Sequence, residues 1–529
     1  MRKAFTCGMM FAMLALPVSA EPLISDSLAA ETKTLVDQAT RNSQAYTWVE
    51  SLVTEVGPRF AGSDGDRRAV AWALRTLKSA GLQNVRAENV TVPRWQRGDI
   101  HAEITGAQPQ RLEAAALGGS VATPAAGLEA PVVSVGSLDE LEWMPDAQVK
   151  GRIVFFNTRM TRSMDGAGYG KAVSVRVYGP ARAARKGAKA VVIRSIGTDH
   201  DRLAHTGRIR YEPNVLKIPA AALSTPDADL LDRLLARGTV TLRLNIGSRD
   251  LGTAVSANVI GDVPGETDEV VLLGAHLDSW DTTPGANDDG AGVGIVIEAA
   301  RQILTTGVKP RRTIRVVLYA NEEFGLSGAD AYAAAYDKDV DKHALAMEAD
   351  FGSGRVFQLG SRLAPADAPW AQEAAELLGL AIGYNEANGG ADLGPLRNYG
   401  VPVLEPRQNG MDYFDVHHTP NDTLDKIDRA GLAQNAAVYA ALAWLASQRE
   451  TPFARLTETQ RMPKTLSWKD LAARPLPPSG ERIAYGNDPL QFGELRVPEG
   501  KGPFPVIVLI HGGCWLNAFD YKHITSLAQ

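Results

Sequence analysis

His276, Asp288, Glu323, Asp350 and His418 are of the types that ligate a transition metal, and each stands where a folded chain can bring it to a shared point. His276 follows the apolar run Val270-Val271-Leu272-Leu273-Gly274-Ala275, Glu322 and Glu323 follow residues 314–320, and Asp350 follows residues 344–349. Each of these leaves a predicted strand at its carboxyl end, where open α/β sheets gather their ligands. Asp288 lies in Gly285-Ala286-Asn287-Asp288-Asp289-Gly290, a loop whose glycines let the backbone bend sharply at the start of a helix. His418 sits in the polar loop His417-His418-Thr419-Pro420-Asn421-Asp422-Thr423. Imidazole with carboxylate suits zinc at about 2.0–2.2 Å, and cobalt or manganese fits the same donors. With one shared carboxylate, five residues can hold two metals. Taken singly, each also has a plain use: Asp288 as a helix cap, Asp350 as a strand-end turn, His276 as a satisfied group under a loop. Spacing alone does not join them.

For these residues to meet, the chain must build a sheet. From Ala257 onward strand and helix alternate: strand 269–274, helix 290–304, strand 313–320, helix 327–335, strand 344–349, strand 401–404. The expected fold class is α/β, a mixed sheet sandwiched by helices. Upstream, residues 28–81 read as helices broken by the turn Val56-Gly57-Pro58-Arg59-Phe60-Ala61-Gly62-Ser63. Residues of about 115–130 are small and carry little signal, as a crossing between domains would. Short apolar runs at 130–135, 152–157, 188–193 and 218–223, with a helix-like 181–187, predict a small strand-rich insert ending near Gly247. No cluster of titratable residues in it suggests chemistry. No repeat of 20–50 residues signals a solenoid or propeller.

A chain of 529 residues exceeds what one core organises, and 45% hydrophobic with 22% charged residues is ordinary for globular domains. A net charge of −6 gives no electrostatic case for nucleic acid or an anionic membrane, which leaves small substrates as the default partner. The first twenty residues read as a secretory signal: Arg2 and Lys3, an apolar stretch over 4–16, then Val18-Ser19-Ala20. That stretch is too short to span a bilayer, so the mature chain is expected to start near Glu21, periplasmic or secreted. Cys7 leaves with the signal, and Cys514 then has no partner for a disulfide within the chain.

The strings Gly274-Ala275-His276-Leu277-Asp278-Ser279-Trp280-Asp281, Gly285 to Gly290 and Ala320-Asn321-Glu322-Glu323-Phe324-Gly325 resemble the co-catalytic zinc exopeptidases, and within them the carboxypeptidase Q group. Met347-Glu348-Ala349-Asp350 and His417 to Thr423 match the later ligand segments in order, so the resemblance runs from about residue 34 to 447. It implies two zinc ions per chain: His276 and Asp350 on one, Glu323 and His418 on the other, Asp288 bridging. It implies Glu322 as the general base that takes the proton of a metal-activated water, and Asp278 as the carboxylate that orients His276. A cis peptide at Asp288-Asp289 belongs to the same pattern. The expected activity is hydrolysis of dipeptides or short peptides, with the choice among aminopeptidase, carboxypeptidase and dipeptidase open, and a homodimer open as well. Lys150-Gly151-Arg152-Ile153-Val154-Phe155 and the run from Ala184 to Ile193 resemble a protease-associated domain, placing an insert at 126–254 within a peptidase domain of 21–125 and 255–450. In Gly389-Gly390-Ala391-Asp392-Leu393-Gly394 an alanine replaces the threonine of that group's Gly-Thr-Asp. Asp392 is a candidate for the substrate's amino group and Tyr413 for the oxyanion, against plain readings as a loop aspartate and a core tyrosine.

Residues 451–529 are expected to be a linker and a fragment. Arg496-Val497-Pro498 and the run from Phe504 to Trp515 resemble the opening of an α/β-hydrolase, with a strand at 506–510. No Gly-x-Ser-x-Gly follows, so the stretch reads as a domain cut short and inert. Two other readings compete: a peptidase fold that binds without turnover, which the full ligand set opposes, and a serine hydrolase acting through this fragment.

Overall fold

The run from Val270 to Ala275 has no polar side chain, as a strand covered on both faces requires. The computed structural model describes residues 22–461, 480–489, 491–498, 500–502, 504 and 506–510. In it this run lies inside Thr267–His276, near the centre of an eight-stranded sheet. Across the sheet the strands run Gln83–Gln96, Arg249–Val263, Arg312–Tyr319, Thr267–His276, His343–Glu348, Val403–Gln408, Val356–Arg362 and Ala381–Ile382. The four from Arg312–Tyr319 to Val403–Gln408 are parallel, so their carboxyl ends share one edge. Antiparallel pairs flank them, which makes the sheet mixed.

Alternation along Thr267–His276 sends Val271, Leu273 and Ala275 into a core with helices Gly292–Thr305 and Arg429–Gln448. Val270 and Leu272 point the other way, to Ala329 and Tyr332 of helix Ser327–Ala335 and to Leu396. Helices Asp26–Arg41, Ala45–Ser51 and Asp64–Ser79 add to the first face through Leu35, Val49, Trp72 and Leu77. The fold is α/β with a mixed sheet between helical layers, as the alternation predicts.

A second eight-stranded sheet runs Gln110–Leu112, Ile100–Thr105, Thr241–Ile246, Leu128–Val135, Ile153–Phe156, Ala190–Arg194, Ala220–Leu223 and Ala114–Ala116. Helix Ala167–Arg185 covers Val154, Phe156, Val191 and Ile193 on one face. Helix Thr225–Leu235 covers Ile153, Phe155, Ala190 and Val192 on the other. This region is therefore three-layered rather than simply strand-rich, and it recruits strands from Ile100 onward, upstream of 126. The helix predicted at 181–187 is the end of one beginning at Ala167, whose glycines and Pro180 blur the periodicity.

The chain divides after Arg461 into a second unit. Its described part holds one antiparallel hairpin, Glu481–Ala484 with Phe492–Leu495. Residues 506–510, predicted as a strand, form no strand and are exposed, Val506 at 85% and Ile510 at 88%. The signal segment, residues 462–479 and the string from His511 to Trp515 lie outside the described residues. Among described residues no helix is long and apolar enough to cross a membrane.

Candidate metal centre

The shared edge of the parallel strands carries the cluster. His276 ends its strand, Glu322 and Glu323 follow Arg312–Tyr319, and Asp350 follows His343–Glu348. Asp288 arrives from the turn ahead of helix Gly292–Thr305, and its two oxygens face different imidazoles: Oδ1 lies 3.1 Å from His276 Nε2 and Oδ2 lies 3.2 Å from His418 Nε2. Asp350 Oδ1 is 3.5 Å from His276 Nε2, and Glu323 Oε2 is 3.0 Å from His418 Nε2. The five residues predicted as ligands thus meet at one place, in two groups that share Asp288.

Segments far apart in sequence hold this turn. Asp422 accepts from the Asn287 N–H at 2.7 Å and from the Asp288 N–H at 3.0 Å. Asp289, joined to Asp288 by a cis peptide, accepts from the His276 N–H and the Gly292 N–H, both at 3.0 Å. Its oxygens serve the backbone, which leaves Asp288 to face the histidines. Gly285 takes φ +57°, where a Cβ would lie 2.4 Å from the Asp288 carbonyl oxygen, so glycine is required there. Fully buried Arg59 donates to the Leu277 carbonyl at 2.6 Å, the Gly285 carbonyl at 3.0 Å and the Pro284 carbonyl, lacing both ligand loops together.

Asp278 sits behind His276 in a way the sequence only partly predicts. Its backbone carbonyl is 3.1 Å from His276 Nδ1 and its carboxylate 3.6 Å, while Oδ1 accepts from the Glu322 N–H at 3.0 Å. One aspartate therefore ties His276 to Glu322, the neighbour of Glu323. On the far side, His418 Nδ1 faces the Thr206 carbonyl at 3.2 Å, and the Thr206 N–H returns a bond to the His418 carbonyl at 3.1 Å. Thr206 comes from the second sheet's region. His418 itself holds φ +62°, a left-handed backbone rare outside glycine and typical of functional sites.

The charge balance of this pocket calls for cations. Burial, reinforced by Asp350, Glu323 and Asp278 against His276, pushes Glu322 well above the carboxylate range. Burial and the Asp288 charge push Glu323 up to about 7, and burial with Asp350 pushes Glu348 to about 8. Although burial opposes them, bonds from His276 and His418 hold Asp288 well below the usual range. Glu323 Oε1 and Asp278 Oδ2 are buried without a hydrogen-bond partner. Unpartnered buried carboxylate oxygens are costly unless a cation meets them. Two imidazoles and three carboxylates form a donor set suited to a divalent transition metal, so the residues fit such ions.

The other predicted residues are buried beside the cluster. Asp392 is 1% exposed, and neither of its oxygens has a partner. Burial, then Glu348 and Glu322, pushes it well above the carboxylate range. Tyr413 stacks on Phe351 at 5.0 Å and tilts against His417 at 5.2 Å. His417, Asp422, Arg59 and Glu348 belong to the site and escape sequence reasoning. His417 lies parallel to His418 at 3.6 Å, with Nε2 3.6 Å from Asp288 Oδ2. The doubled histidine was the visible signal for it. Arg59 had a weaker one, an arginine inside an otherwise apolar turn.

A sheet of this order with such a cluster at its strand ends is that of a metallopeptidase, and residues 258–443 match Peptidase family M28. Carboxypeptidase Q of Mus musculus is 34% identical over 415 residues, covering 77% of this chain and 86% of the relative. Aminopeptidase YwaD of Bacillus subtilis is 25% identical over 75% of this chain and 84% of its own. The solved structure of a peptidase M28 precursor from Shewanella amazonensis superposes with a TM-score of 0.80 at 49% identity, covering 82% of this chain and 99% of that one. The zinc aminopeptidase of Bacillus subtilis shares the fold, with a TM-score of 0.56 at 21% identity over 77% of this chain and 95% of that one. The chain belongs to peptidase family M28.

Proposed function

We propose that this protein is a dinuclear zinc exopeptidase acting on dipeptides or short peptides. The observation that carries the reading is Asp288, whose two oxygens each face a different imidazole Nε2, at 3.1 and 3.2 Å. His276 and Asp350 would hold one zinc, Glu323 and His418 the other, with Asp288 shared. Bound there, the metals supply a water of lowered pKa and polarise the scissile carbonyl.

Glu322, the neighbour of Glu323, takes the proton of the attacking water and hands it to the leaving nitrogen. Asp278 fixes the Glu322 backbone at 3.0 Å and so keeps base and ligand in register. Tyr413 stands beside the ligands as a donor to the oxyanion, and the unpartnered oxygens of Asp392 are ready for a substrate ammonium. The second sheet, residues 100–246, is read as a protease-associated insert bordering the centre. Export through the signal in residues 1–20 completes the reading.

Metal analysis is expected to return about two zinc ions per chain. Glu322→Gln is expected to keep them while slowing dipeptide hydrolysis by about 10²–10⁴-fold. Full activity in that variant removes Glu322 from its role, and metal-free protein with full activity removes the whole mechanism.

A further inference from the structure

Residues 410–421 carry His418 on a loop whose ends and middle are held by different parts of the chain. At the ends, the Asn409 N–H donates to the Arg355 carbonyl at 2.9 Å and Asp422 serves the Asn287 turn. Between them, the hydrogen bonds that reach past sequence neighbours and the metal cluster all go to the insert among the described residues. The Gly410 N–H donates to the Met164 carbonyl at 2.9 Å, the Thr198 N–H to the Phe414 carbonyl at 3.1 Å, and Asn421 Nδ2 to Asp201 at 3.0 Å. Tyr169 of the insert stacks on Phe414 at 4.8 Å. The loop that delivers His418 is thus laid against the insert.

Arg162 gathers this contact to one point. Its Nη2 donates to Asp415 at 2.6 Å and to the Thr198 carbonyl at 3.1 Å, and its Nη1 to the Met411 carbonyl and to Asp412 at 3.2 Å. Thr198 Oγ1 donates to the same Asp415 oxygen at 2.7 Å. Asp415 lies in the short helix Tyr413–Val416, and bonds of 3.0 Å from the His417 N–H to the Tyr413 carbonyl and from the Thr419 N–H to the Val416 carbonyl carry that helix straight into His418. An exposed ion pair by itself contributes little, and Asp412 is 94% exposed. Asp415 is 29% exposed and takes two donors, so it is the acceptor that counts. A planar fork can span a carboxylate and two carbonyls of separate segments at once. His276 and Asp350 need none of this: they stand at strand ends of the first sheet, and Asp289, Arg59 and Asp278 tie the loop of His276.

We propose that Arg162 is a positioning residue for the second metal alone: through Asp415 it sets the helix that delivers His418, so its loss weakens the zinc held by Glu323 and His418 and spares the zinc held by His276 and Asp350. The inference rests on the two-zinc reading of the centre. Asp288 is held at its backbone by Asp422 and keeps one oxygen toward each imidazole, so the first site stays complete when the second loosens. Arg162 bonds to none of the five ligands, and its effect has to travel through the backbone of residues 411–418. The insert then becomes part of the scaffold of the metal centre.

The test strips the full chain of metal and reads zinc binding against a chromophoric chelator, for the wild type, Arg162→Ala, Arg162→Lys, Asp415→Asn and the double variant of Arg162→Ala with Asp415→Asn. The melting temperature of the zinc-free proteins is the control, and His418→Ala marks which binding event belongs to the second metal. Arg162→Ala is expected to weaken that event by on the order of 10-fold and to leave the other unchanged. Arg162→Lys should recover part of the loss, since the charge on Asp415 is answered without the fork. The double variant should bind no worse than the weaker single one, as partners in one contact do. In dipeptide hydrolysis at limiting zinc, the deficit of Arg162→Ala should vanish as zinc is raised, with KM unchanged. Zinc affinities in Arg162→Ala equal to those of the wild type at both events overturn the inference alone. So does a parallel loss at both events, or additive losses in the double variant, since either makes Arg162 a support of the fold rather than of one site. A wild type that binds no second zinc sinks the two-metal reading and this inference with it.

Discussion

Asp422 is not one of the five predicted ligands, yet its carboxylate holds the backbone of Asp288, the residue proposed to bridge. Its two oxygens take the N–H groups of Asn287 and Asp288, and burial pushes it up to about 7 against those bonds. Asp422→Ala frees that turn, and the expected result is a 10- to 100-fold loss of zinc affinity, measured by competition with a chelator. Unchanged affinity would show that Arg59 and Gly285 hold the turn without it. Strand ends and polar loops made the five residues readable as candidates, and the family resemblance joined them into one site. The sequence could not show Asp422 or Arg59 at work, since their partners lie 135 and 218 residues away and a contact at that range leaves no local pattern.

Among the elements, the parallel strands announced themselves by their apolar runs, while much of the second sheet stayed hidden. Ile100–Thr105 alternates with polar residues and Ala114–Ala116 is all alanine, which no strand preference marks, whereas Ala220–Leu223 falls inside the predicted run 218–223. The start of strand His343–Glu348 carries its own liability. His343 is buried against the Tyr332 hydroxyl at 2.9 Å, and burial, with Arg315 and Arg455 adding, pushes its imidazole down to about 4. The unfolded chain takes up that proton near the ordinary 6.5, so over the window from 6.5 to 4 it binds more protons than the folded chain. The contribution is intact above pH 6.5 and lost as pH falls through the window, about 3 kcal/mol in all. His343→Gln should flatten this part of the acid limb in denaturant titrations at pH 7 and 4.5. Parallel slopes for both proteins would contradict it.

At the scale of the molecule, every residue of the proposed centre lies within the first unit, which closes its own cores before Arg461. A chain ending at Arg461 is therefore expected to keep its melting temperature and peptidase activity, and a fall of several degrees would show that the second unit supports the first. The insert is another matter. Trading such inserts among relatives to alter specificity is an obvious engineering route, and trimming 100–246 away is the obvious path to a minimal enzyme. The Thr206 carbonyl closes that path, because it fixes which nitrogen of the His418 imidazole carries its proton. A graft has to bring its own replacement for that carbonyl, or it will leave the His418 imidazole without the partner that orients it.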